Sequence, residues 1–377
     1  AAPRGLIALS GAGEGDVELS VGLMSLALAI GQFFVGPWSD RFGRRRLLMG
    51  GLMVYIISAA AVTFVPDFDW FLWVRFIQGL ATAAFILLSR TIIRDMFTAE
   101  RAARLLSFVY LALGMSSVLS PFIGSQLLEL YGWRADFYLL SALALVVLIL
   151  VITKLPETAP AGGGDYRGMG RLLGDYVQIL RNPVFRANLA VNCMFSMGLI
   201  SFVSASAPVY ITFLGESPEA YAVAVGIVFS GSVAGSLVSS RVVVRAGIRR
   251  VLLAAAIVAA ASGTTLLGLS VAGVVSAVWI TIPMFCFLFA FALGSPQTVA
   301  AALTPFPNTA GTASSVFGVV QGLAIAGASF LLSVFADGTQ WPMVIMVWVV
   351  GITSLVLYLA LIRPRAGAAP ETAAASG

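Results

Sequence analysis

The chain alternates between long apolar stretches and short polar turns. Each apolar stretch is about 20 residues or longer, which is the length that an α-helix needs to cross the hydrocarbon core of a bilayer. Glycine and proline recur inside these stretches, as helices in lipid tolerate. The pattern predicts an all-α membrane protein with eleven spanning helices, at 17–37, 47–65, 70–93, 102–128, 135–155, 185–214, 219–243, 250–270, 274–302, 310–335 and 341–362.

The composition supports a membrane environment. Hydrophobic residues make up 59% of the chain, charged residues make up 10%, and the mean hydropathy is +0.98, whereas a soluble domain carries about 25% charged residues. The chain has no histidine, and its two cysteines, Cys193 and Cys286, lie inside apolar stretches without metal-ligand spacing. We therefore expect no metal and no cofactor, and a proton carrier must be a carboxylate or, as a second choice, a tyrosine.

Basic residues mark one side of the predicted membrane protein. Apart from Arg4, Arg75 and Arg134, all of the 22 lysines and arginines fall in turns that alternating helices place on the same side. Such a bias predicts that this side is cytoplasmic and that the C-terminus lies in the cytoplasm. The net charge of +5 comes from these short turns and not from a basic face on a folded module, so we expect no nucleic-acid partner.

An internal repeat divides the chain into two halves. The stretch "DRFGRRRLL" at 40–48 resembles "VRAGIRRVL" at 244–252, an offset of 204 residues that also carries the later spans of the first half onto those of the second. A stretch rich in proline and glycine separates the halves and predicts a flexible cytoplasmic linker. The predicted organisation is an N-terminal bundle, this linker, a C-terminal bundle and a cytoplasmic tail, at 1–155, 156–184, 185–362 and 363–377.

The same offset predicts a helix that the sequence does not contain in full. Span 185–214 maps back to about −19 to 10, so most of its partner would precede residue 1. Parallel repeats of six spans are a known transporter plan. We therefore expect two parallel six-helix bundles with the first helix missing. The alternative is an eleven-helix protein whose N-terminus lies outside the cell.

Four stretches resemble one family. The stretch "GPWSDRFGRRRLL" from residue 36 resembles the signature loop between helices 2 and 3 of the major facilitator superfamily. The stretch "RFIQGLATAAFILLSRTIIRDMF" from residue 75 is similar to the helix-4 motif of its drug–proton antiporters. Two later stretches, "NPVFRANLAVNCMFSMGLISFVSASAPVYI" and "PFPNTAGTASSVFGVVQG", are similar to the branch of bicyclomycin and chloramphenicol exporters (Bcr/CflA).

This resemblance implies a fold and an activity. The fold is the major-facilitator fold, with two parallel six-helix bundles. The activity is secondary active multidrug efflux, in which small amphiphilic compounds leave in exchange for protons by alternating access. The location is the bacterial inner membrane, and the expected partners are the lipid bilayer, protons and a small-molecule substrate, with the chain acting as a monomer.

The arginine-rich turn that follows the first span predicts a conformational latch. A glycine at 36 lets two helices approach closely, and a glycine at 43 permits a tight reversal. Asp40 lies within reach of arginines and of neighbouring helix N-termini, both of which favour an acid. The predicted latch holds the cytoplasmic side closed in one state and opens in the other, and it comprises Gly36, Asp40, Arg41, Gly43, Arg44 and Arg45. The alternative is that the arginines only set orientation. In the second copy Val244 replaces the acid, which predicts a weaker latch or none.

Arg75 is the second candidate. It falls about seven residues into its helix, roughly 10 Å from the helix start. An arginine at that depth is costly and should face the bundle interior beside a partner. The resemblance implies a role in proton coupling, with Gln78 one turn further on as a hydrogen-bonding neighbour. The alternative is that Arg75 reaches the outer interface near Asp67 and Asp69.

Two further sets of residues are candidates. Gly114, Pro121 and Gly124 match the helix-5 motif of the antiporters, although close helix packing alone is an equal alternative. Substrate should bind near the midplane between the halves, against an adaptable apolar wall with a few amides that orient it. The candidates for that cavity are Tyr110, Met115, Asn188, Asn192, Phe195, Phe202, Tyr210, Gln297 and Gln321, each with packing as its alternative role.

A buried carboxylate is the element that the sequence lacks. Proton-driven export needs a titrating group in the membrane, yet no predicted span holds an acid at its centre. The resembled family often places that acid in its first helix. Two other functions therefore stay open, namely export of sugars or other metabolites and a truncated, non-transporting remnant. No nucleotide-binding loop and no nucleophile elbow are present, so an enzyme or an ATP-driven pump is not expected.

Overall fold

The computed structural model describes residues 14–159, 168–335 and 337–362. Nearly all of these residues are helical. The α-helices are α1 (Glu14–Phe42), α2 (Arg44–Ala61), α3 (Phe68–Met96), α4 (Ala99–Tyr131), α5 (Arg134–Lys154), α6 (Gly168–Arg181), α7 (Pro183–Ala207), α8 (Pro218–Ala246), α9 (Ile248–Val271), α10 (Ala277–Leu303), α11 (Ala310–Val334) and α12 (Trp341–Leu357). Short helical turns extend α2, α7 and α12, at Val62–Phe64, Pro208–Phe213 and Tyr358–Ile362.

Every predicted span coincides with one of these helices, which confirms the all-α membrane fold. In the described part of the chain, nine helices are long and apolar enough to cross a membrane. Helices α1 and α4 occupy the other two predicted spans, with 29 and 33 residues. The predicted partner of α7 at about −19 to 10 and the tail at 363–377 lie outside the described residues.

The expectation of a flexible linker over 156–184 is wrong in its second half, where residues form α6. Tyr176 and Ile179 of α6 are buried. The Tyr176 hydroxyl donates a hydrogen bond to the Phe33 carbonyl, at 2.6 Å. Packing of this short amphipathic helix on α1 therefore overrides the turn-forming composition of the preceding residues.

The two halves of the sequence repeat the same helix pairings. In the first half α1 packs against α3, and α2 packs against both α3 and α5. In the second half α8 packs against α10, and α9 packs against both α10 and α12. The offset of 204 residues that relates the two arginine-rich turns also relates these pairs. Helix α7 adds contacts with α10 and α12.

Contacts between Cα atoms group the described residues into two compact units. The first unit lies within Ala1–Phe97, Ser116–Ile179 and Phe306–Val319. The second lies within Thr98–Met115, Leu180–Pro305 and Val320–Gly377. The first unit thus contains the beginning of α11 beside the helices of the first half, and the second contains the beginning of α4 beside those of the second half.

The two arginine-rich turns share a backbone conformation. Gly43 and Gly247 have φ values of +96° and +80°, a left-handed region that residues with a side chain rarely adopt. Each glycine lets one helix end and the next begin within a single residue, between α1 and α2 and between α8 and α9. Glycine at these positions is therefore required by the reversal itself.

Candidate functional site

Helices α1 and α11 approach closely at two glycines in the first unit. The Gly36 amide donates a hydrogen bond to the Ser315 hydroxyl, at 3.0 Å. A Cβ atom at Gly36 would overlap the Gly311 carbonyl oxygen, and one at Gly311 would overlap the Ser39 hydroxyl and the Gly36 carbonyl oxygen. Only glycine at both positions lets the backbones come this close.

Asp40 lies beside this crossing and accepts four hydrogen bonds. The donors are the amides of Gly311 at 3.1 Å and Thr312 at 2.8 Å, the Thr312 hydroxyl at 2.6 Å and Arg44 Nη2 at 2.9 Å. Gly311 and Thr312 are in the first turn of α11. The carboxylate therefore sits at the positive end of the α11 dipole and satisfies amides that have no partner within their own helix.

Arg44 links Asp40 to a second carboxylate. It is 0% exposed, and it forms ion pairs with Asp40 and with Asp95 of α3. We refer to Asp40, Arg44, Asp95, Gly311 and Thr312 as the latch cluster. One guanidinium between two carboxylates leaves an excess negative charge, which the N-terminus of α11 offsets.

The start of α2 is held by a carboxylate that the sequence did not single out. Glu157 Oε1 accepts hydrogen bonds from the amides of Arg44 at 2.8 Å and Arg45 at 3.3 Å. It also accepts from the amides of Thr158 and Ala159. Partial burial raises the pKa of Glu157, but these four amides outweigh it and lower the pKa below its ordinary value. Glu157 therefore caps α2 as an anion.

The two remaining arginines of the predicted latch, Arg45 and Arg41, have different surroundings. Arg45 donates to the backbone carbonyls of Val151 at 3.4 Å and Ile152 at 2.7 Å, near the C-terminal end of α5. The Arg41 side chain is exposed, with its guanidinium 4.9 Å from the centroid of the Phe42 ring. Arg44 is an arginine that pairs directly with Asp40.

Arg75 and Gln78 are in contact, as the helical spacing predicts. Arg75 Nη1 donates to Gln78 Oε1 at 2.8 Å, and its guanidinium lies 5.8 Å from the ring centroids of Phe71 and Phe137. Gln78 is fully buried and Arg75 is half-buried. Among the residues whose side chains the structure describes, which include Asp67 and Asp69, no carboxylate lies within ion-pair distance of Arg75.

The predicted helix-5 motif lies on α4. Gly114 is buried in the second unit, where a Cβ atom would overlap the Ser232 hydroxyl of α8. Two turns away along α4, the Ser107 and Ser239 hydroxyls are hydrogen-bonded at 2.7 Å. Gly124 is half-buried, and the Pro121 side chain is outside what the structure describes. Small residues thus let α4 and α8 approach.

Several predicted cavity residues form a polar cluster in the second unit. Gln321 Nε2 donates to Asn192 Oδ1 at 2.9 Å and to the Ser196 hydroxyl at 2.8 Å. Asn192 Nδ2 donates to the Thr298 hydroxyl at 2.7 Å. We refer to Asn192, Ser196, Thr298 and Gln321 as the amide cluster. Gln321 is half-buried, so the cluster has one accessible edge.

The other cavity candidates are spread over the second unit. Gln297 is buried and donates to the Ser239 hydroxyl at 2.6 Å. Tyr210 is bonded to the Thr281 hydroxyl at 2.8 Å and packs edge-on against Phe202. Three residues have separate surroundings: Phe195 is buried against Gly294, Tyr110 packs edge-on against Phe291, and Met115 is exposed.

Asn188 lies apart from these residues. It is one of the residues that line a cavity among the ends of α7, α8, α9, α10 and α12. No sequence pattern separates Asn188 from Asn192, which follows it by one helical turn on the same helix.

Asp95 and Glu157 are the functional candidates that sequence reasoning missed. Both are acids that follow a predicted span on the same side as the arginine-rich turn. That shared side was the available signal, because charges at the same end of a bundle can pair when their helices are neighbours.

Comparison with known sequences gives the family. The sequence profile of the Major Facilitator Superfamily matches residues 5–329. A bicyclomycin resistance protein homolog of Haemophilus influenzae is 25% identical over 91% of this chain and 86% of its own length. The multidrug resistance protein MdtL of Klebsiella pneumoniae is 26% identical, over 97% of this chain and 91% of its own length.

Comparison with solved structures gives the fold. The proton:xylose symporter XylE matches with a TM-score of 0.73 at 19% identity, over 96% of this chain and 89% of its own. The human organic anion transporter MFSD10 matches with a TM-score of 0.69 at 18% identity, over 90% of this chain. The sequence profile, which covers most of the chain, shows that this protein is a multi-pass membrane transporter and belongs to the Major Facilitator Superfamily.

Proposed function

We propose that this chain mediates secondary active efflux of small amphiphilic compounds in exchange for protons. Two of its relatives are named for resistance to bicyclomycin and to multiple drugs. Transporters of this plan work by alternating access of a central site. In this proposal the protein lies in the bacterial inner membrane, and the arginine-rich turns and the C-terminus face the cytoplasm.

The observation that carries the proposal is the latch cluster. A single carboxylate, Asp40, joins the cytoplasmic end of α1 to the first turn of α11. Hydrogen bonds to a charged group are worth about 1.5–3 kcal/mol each, and they are lost together when the helices separate. The cluster is therefore suited to hold one conformation firmly and to release it as a unit.

Arg75 is the proposed coupling residue. Its guanidinium is half-buried in the membrane, and it donates a hydrogen bond to the neutral side chain of Gln78. A cation in this position stabilises a nearby negative charge, whether on a proton carrier or on a substrate group. Protonation of that negative charge would weaken its attraction to Arg75 and so link proton movement to conformation.

The amide cluster is the proposed orienting element of the substrate cavity. Its amides and hydroxyls already bond one another, and the accessible edge at Gln321 can exchange one of those bonds for a ligand. The same polarity favours a second candidate, export of a hydroxylated sugar or metabolite. Gln321→Leu should therefore change the selectivity among exported compounds more strongly than it changes the export rate of any one compound.

A resistance assay tests the proposal. Cells that lack their own exporters would express the full-length protein, its Asp40→Asn variant, or Glu129→Gln as an exposed carboxylate control. Wild type and Glu129→Gln should raise the bicyclomycin concentration that stops growth, and Asp40→Asn should lower this gain about tenfold or more. If a panel of amphiphilic drugs and sugars gives equal growth with and without the wild-type protein, the chain is not an exporter of these compounds.

A further inference from the structure

A cavity of about 790 Å³ opens at one end of the second unit. Helices α7 and α9 begin at this cavity, whereas α8, α10 and the turn after α12 end there. Because consecutive helices run in opposite directions, the starts of α7 and α9 and the ends of α8, α10 and the turn after α12 lie at the same end of the bundle. The cavity is therefore at an end where helices leave the membrane. Nothing in the proposed transport cycle uses it.

The rim of this cavity is basic. Arg245, Arg249 and Arg250 line it together with one acid, Glu100. The three guanidinium groups are exposed and, within the described part of the chain, none of them has a hydrogen bond or an ion pair. The backbone of this turn is bonded to the helical turn that follows α12, because the Tyr358 hydroxyl donates to the Arg249 carbonyl at 2.9 Å.

Apart from the charged rim, the lining is apolar except for Asn188 and Thr304, and the Thr304 hydroxyl donates to the Ala300 carbonyl of its own helix. Asn188 is 4% exposed, and its Nδ2 donates to the Val184 carbonyl at 2.9 Å. Its Oδ1 is buried and has no hydrogen-bond partner among the described residues. A buried acceptor without a donor is unfavourable. The cavity therefore presents an acceptor for a ligand hydroxyl, below a rim that attracts anions.

The repeat shows what is missing at the start of α9. In the first half the Glu157 carboxylate accepts from the first amides of α2. The offset of 204 residues places Leu361 at the position of Glu157, and Leu361 lines the cavity. Gly247, which precedes α9, provides no side-chain cap. An anion from outside the chain can therefore occupy the place that Glu157 fills in the first half.

We propose that this cavity binds the headgroup of an anionic phospholipid that carries a hydroxyl, such as phosphatidylglycerol. Its phosphodiester lies at the start of α9 between the three arginines, and a headgroup hydroxyl donates to Asn188 Oδ1. Its acyl chains continue along the apolar side chains into the bilayer. A lipid fits better than a free phosphate because basic rim and apolar wall adjoin at a membrane interface.

Lipid binding can be measured without any transported compound. Phosphatidylglycerol would be titrated into the purified full-length protein in a non-ionic detergent, and native mass spectrometry would count the bound molecules. Arg249→Gln with Arg250→Gln should weaken binding about 25-fold, since each basic residue contributes about fivefold. The charge-matched control, Arg46→Gln with Lys154→Gln, removes two exposed cations far along the sequence and should leave the affinity unchanged.

Asn188→Leu tests the acceptor separately. It should weaken the binding of phosphatidylglycerol several-fold but not that of phosphatidic acid, whose headgroup is a phosphate without the headgroup glycerol and its hydroxyls. Equal thermal stability of the variants without lipid would show that they fold.

Three results would overturn the proposal. They are equal binding of phosphatidylcholine, binding of glycerol 3-phosphate as tight as that of the lipid, and an equal loss in the charge-matched control. The second result would identify a site for free phosphates. None of them depends on efflux activity, so failure here leaves the proposed transport function standing.

Discussion

The two arginine-rich turns have the same backbone and opposite surroundings. Both reverse at a glycine with positive φ, Gly43 and Gly247, and both begin a helix in the next residue. In the first turn three acids, Asp40, Asp95 and Glu157, surround Arg44 and the start of α2. At the offset of 204 residues their positions hold Val244, Val299 and Leu361, and Ile248 replaces Arg44.

This difference separates what the turn does for the fold from what it does for function. The glycine and the flanking helices are sufficient for the reversal, because the second turn forms it without an acid at any of these three corresponding positions. Asp40 and Asp95 add a buried network that reaches α11, and they form ion pairs with Arg44 inside the protein. The second turn leaves its arginines available to an external anion. The repeat thus contains two turns of the same backbone conformation, and within the described residues only in the first do acids of the same chain pair with the arginine.

The helix crossings differ in the same way. In the first unit α1 and α11 cross at Gly36 and Gly311, where any Cβ atom would overlap the backbone. At the offset of 204 residues these positions correspond to Ser240 and Ser107, and in the second unit α4 and α8 meet through the Ser107 and Ser239 hydroxyls. Glycines allow a backbone crossing, whereas serines hold the helices one side chain apart.

A large effect is expected from Gly311→Ala. The added Cβ atom would overlap Ser39, Asp40 and the Gly36 carbonyl oxygen, which are held by their own helix. Overpacking costs about 1–3 kcal/mol, so the closed latch should become about 5- to 150-fold rarer and efflux should fall accordingly. Gly327→Ala on the same helix has no atom within 4 Å of its added Cβ and serves as the control. Equal efflux by the two variants would refute a functional α1–α11 crossing.

The next effect concerns Arg75, whose charge also lacks a counterpart in the second half. The position offset by 204 residues is Trp279. Arg75→Ala should abolish proton-dependent efflux, because it removes a half-buried charge that lies two turns inside α3. Trp279→Ala should retain most of the activity. Drug-driven proton movement in inverted membrane vesicles measures both, and persistent coupling in Arg75→Ala would remove this residue from the mechanism.

Introducing an acid at the position equivalent to Glu157 tests the difference between the two turns. Leu361→Glu should place a carboxylate near the start of α9, where Glu157 lies relative to α2. An internal cap then competes with the lipid phosphate, so phosphatidylglycerol should bind about tenfold more weakly, while the protein should gain about 1 kcal/mol from the cap. Lipid titration and thermal unfolding check the two effects. Unchanged lipid affinity would mean that the two anions do not share a position.

The smallest effect is expected from Glu157→Gln. The folded protein lowers the pKa of Glu157 below its ordinary value of 4.5. The charged carboxylate therefore stabilises the fold above about pH 4.5, and this contribution is lost as the pH falls through the folded-state pKa. The variant should be about 1 kcal/mol less stable than wild type at pH 7 and equally stable near pH 3. A difference that does not change with pH would argue against capping by the charged form.

Hydropathy alone predicted the helices because a bilayer imposes one length and one polarity on every span. It failed at α6, a short helix at 168–181 that depends on packing, since its Tyr176 donates to α1. Turn chemistry likewise predicted that Asp40 would meet an arginine and a helix N-terminus. The identity of that helix, α11, depends on a contact across 272 residues that no local pattern encodes.

The same limit explains the site residues that sequence reasoning missed or grouped together. Asp95 and Glu157 could not be paired with Arg44 and Arg45, because neighbouring helices in space are not neighbours in sequence. Asn188 and Asn192 share a helix and a residue type. The packing of the surrounding helices places Asn188 at the basic cavity and Asn192 in the amide cluster, and a sequence pattern does not contain that information.

The central claim is that the Asp40 carboxylate holds α1 against α11, and a distance measurement tests it most directly. Spin labels would be placed at the exposed positions Phe42 and Asn308, with Cys193 and Cys286 replaced. Pulsed electron resonance on the full-length protein in lipid would compare wild type with Asp40→Asn. We predict a dominant short distance in wild type and a shift of most of that population to longer distances in Asp40→Asn. The same distance distribution in both proteins would contradict the latch.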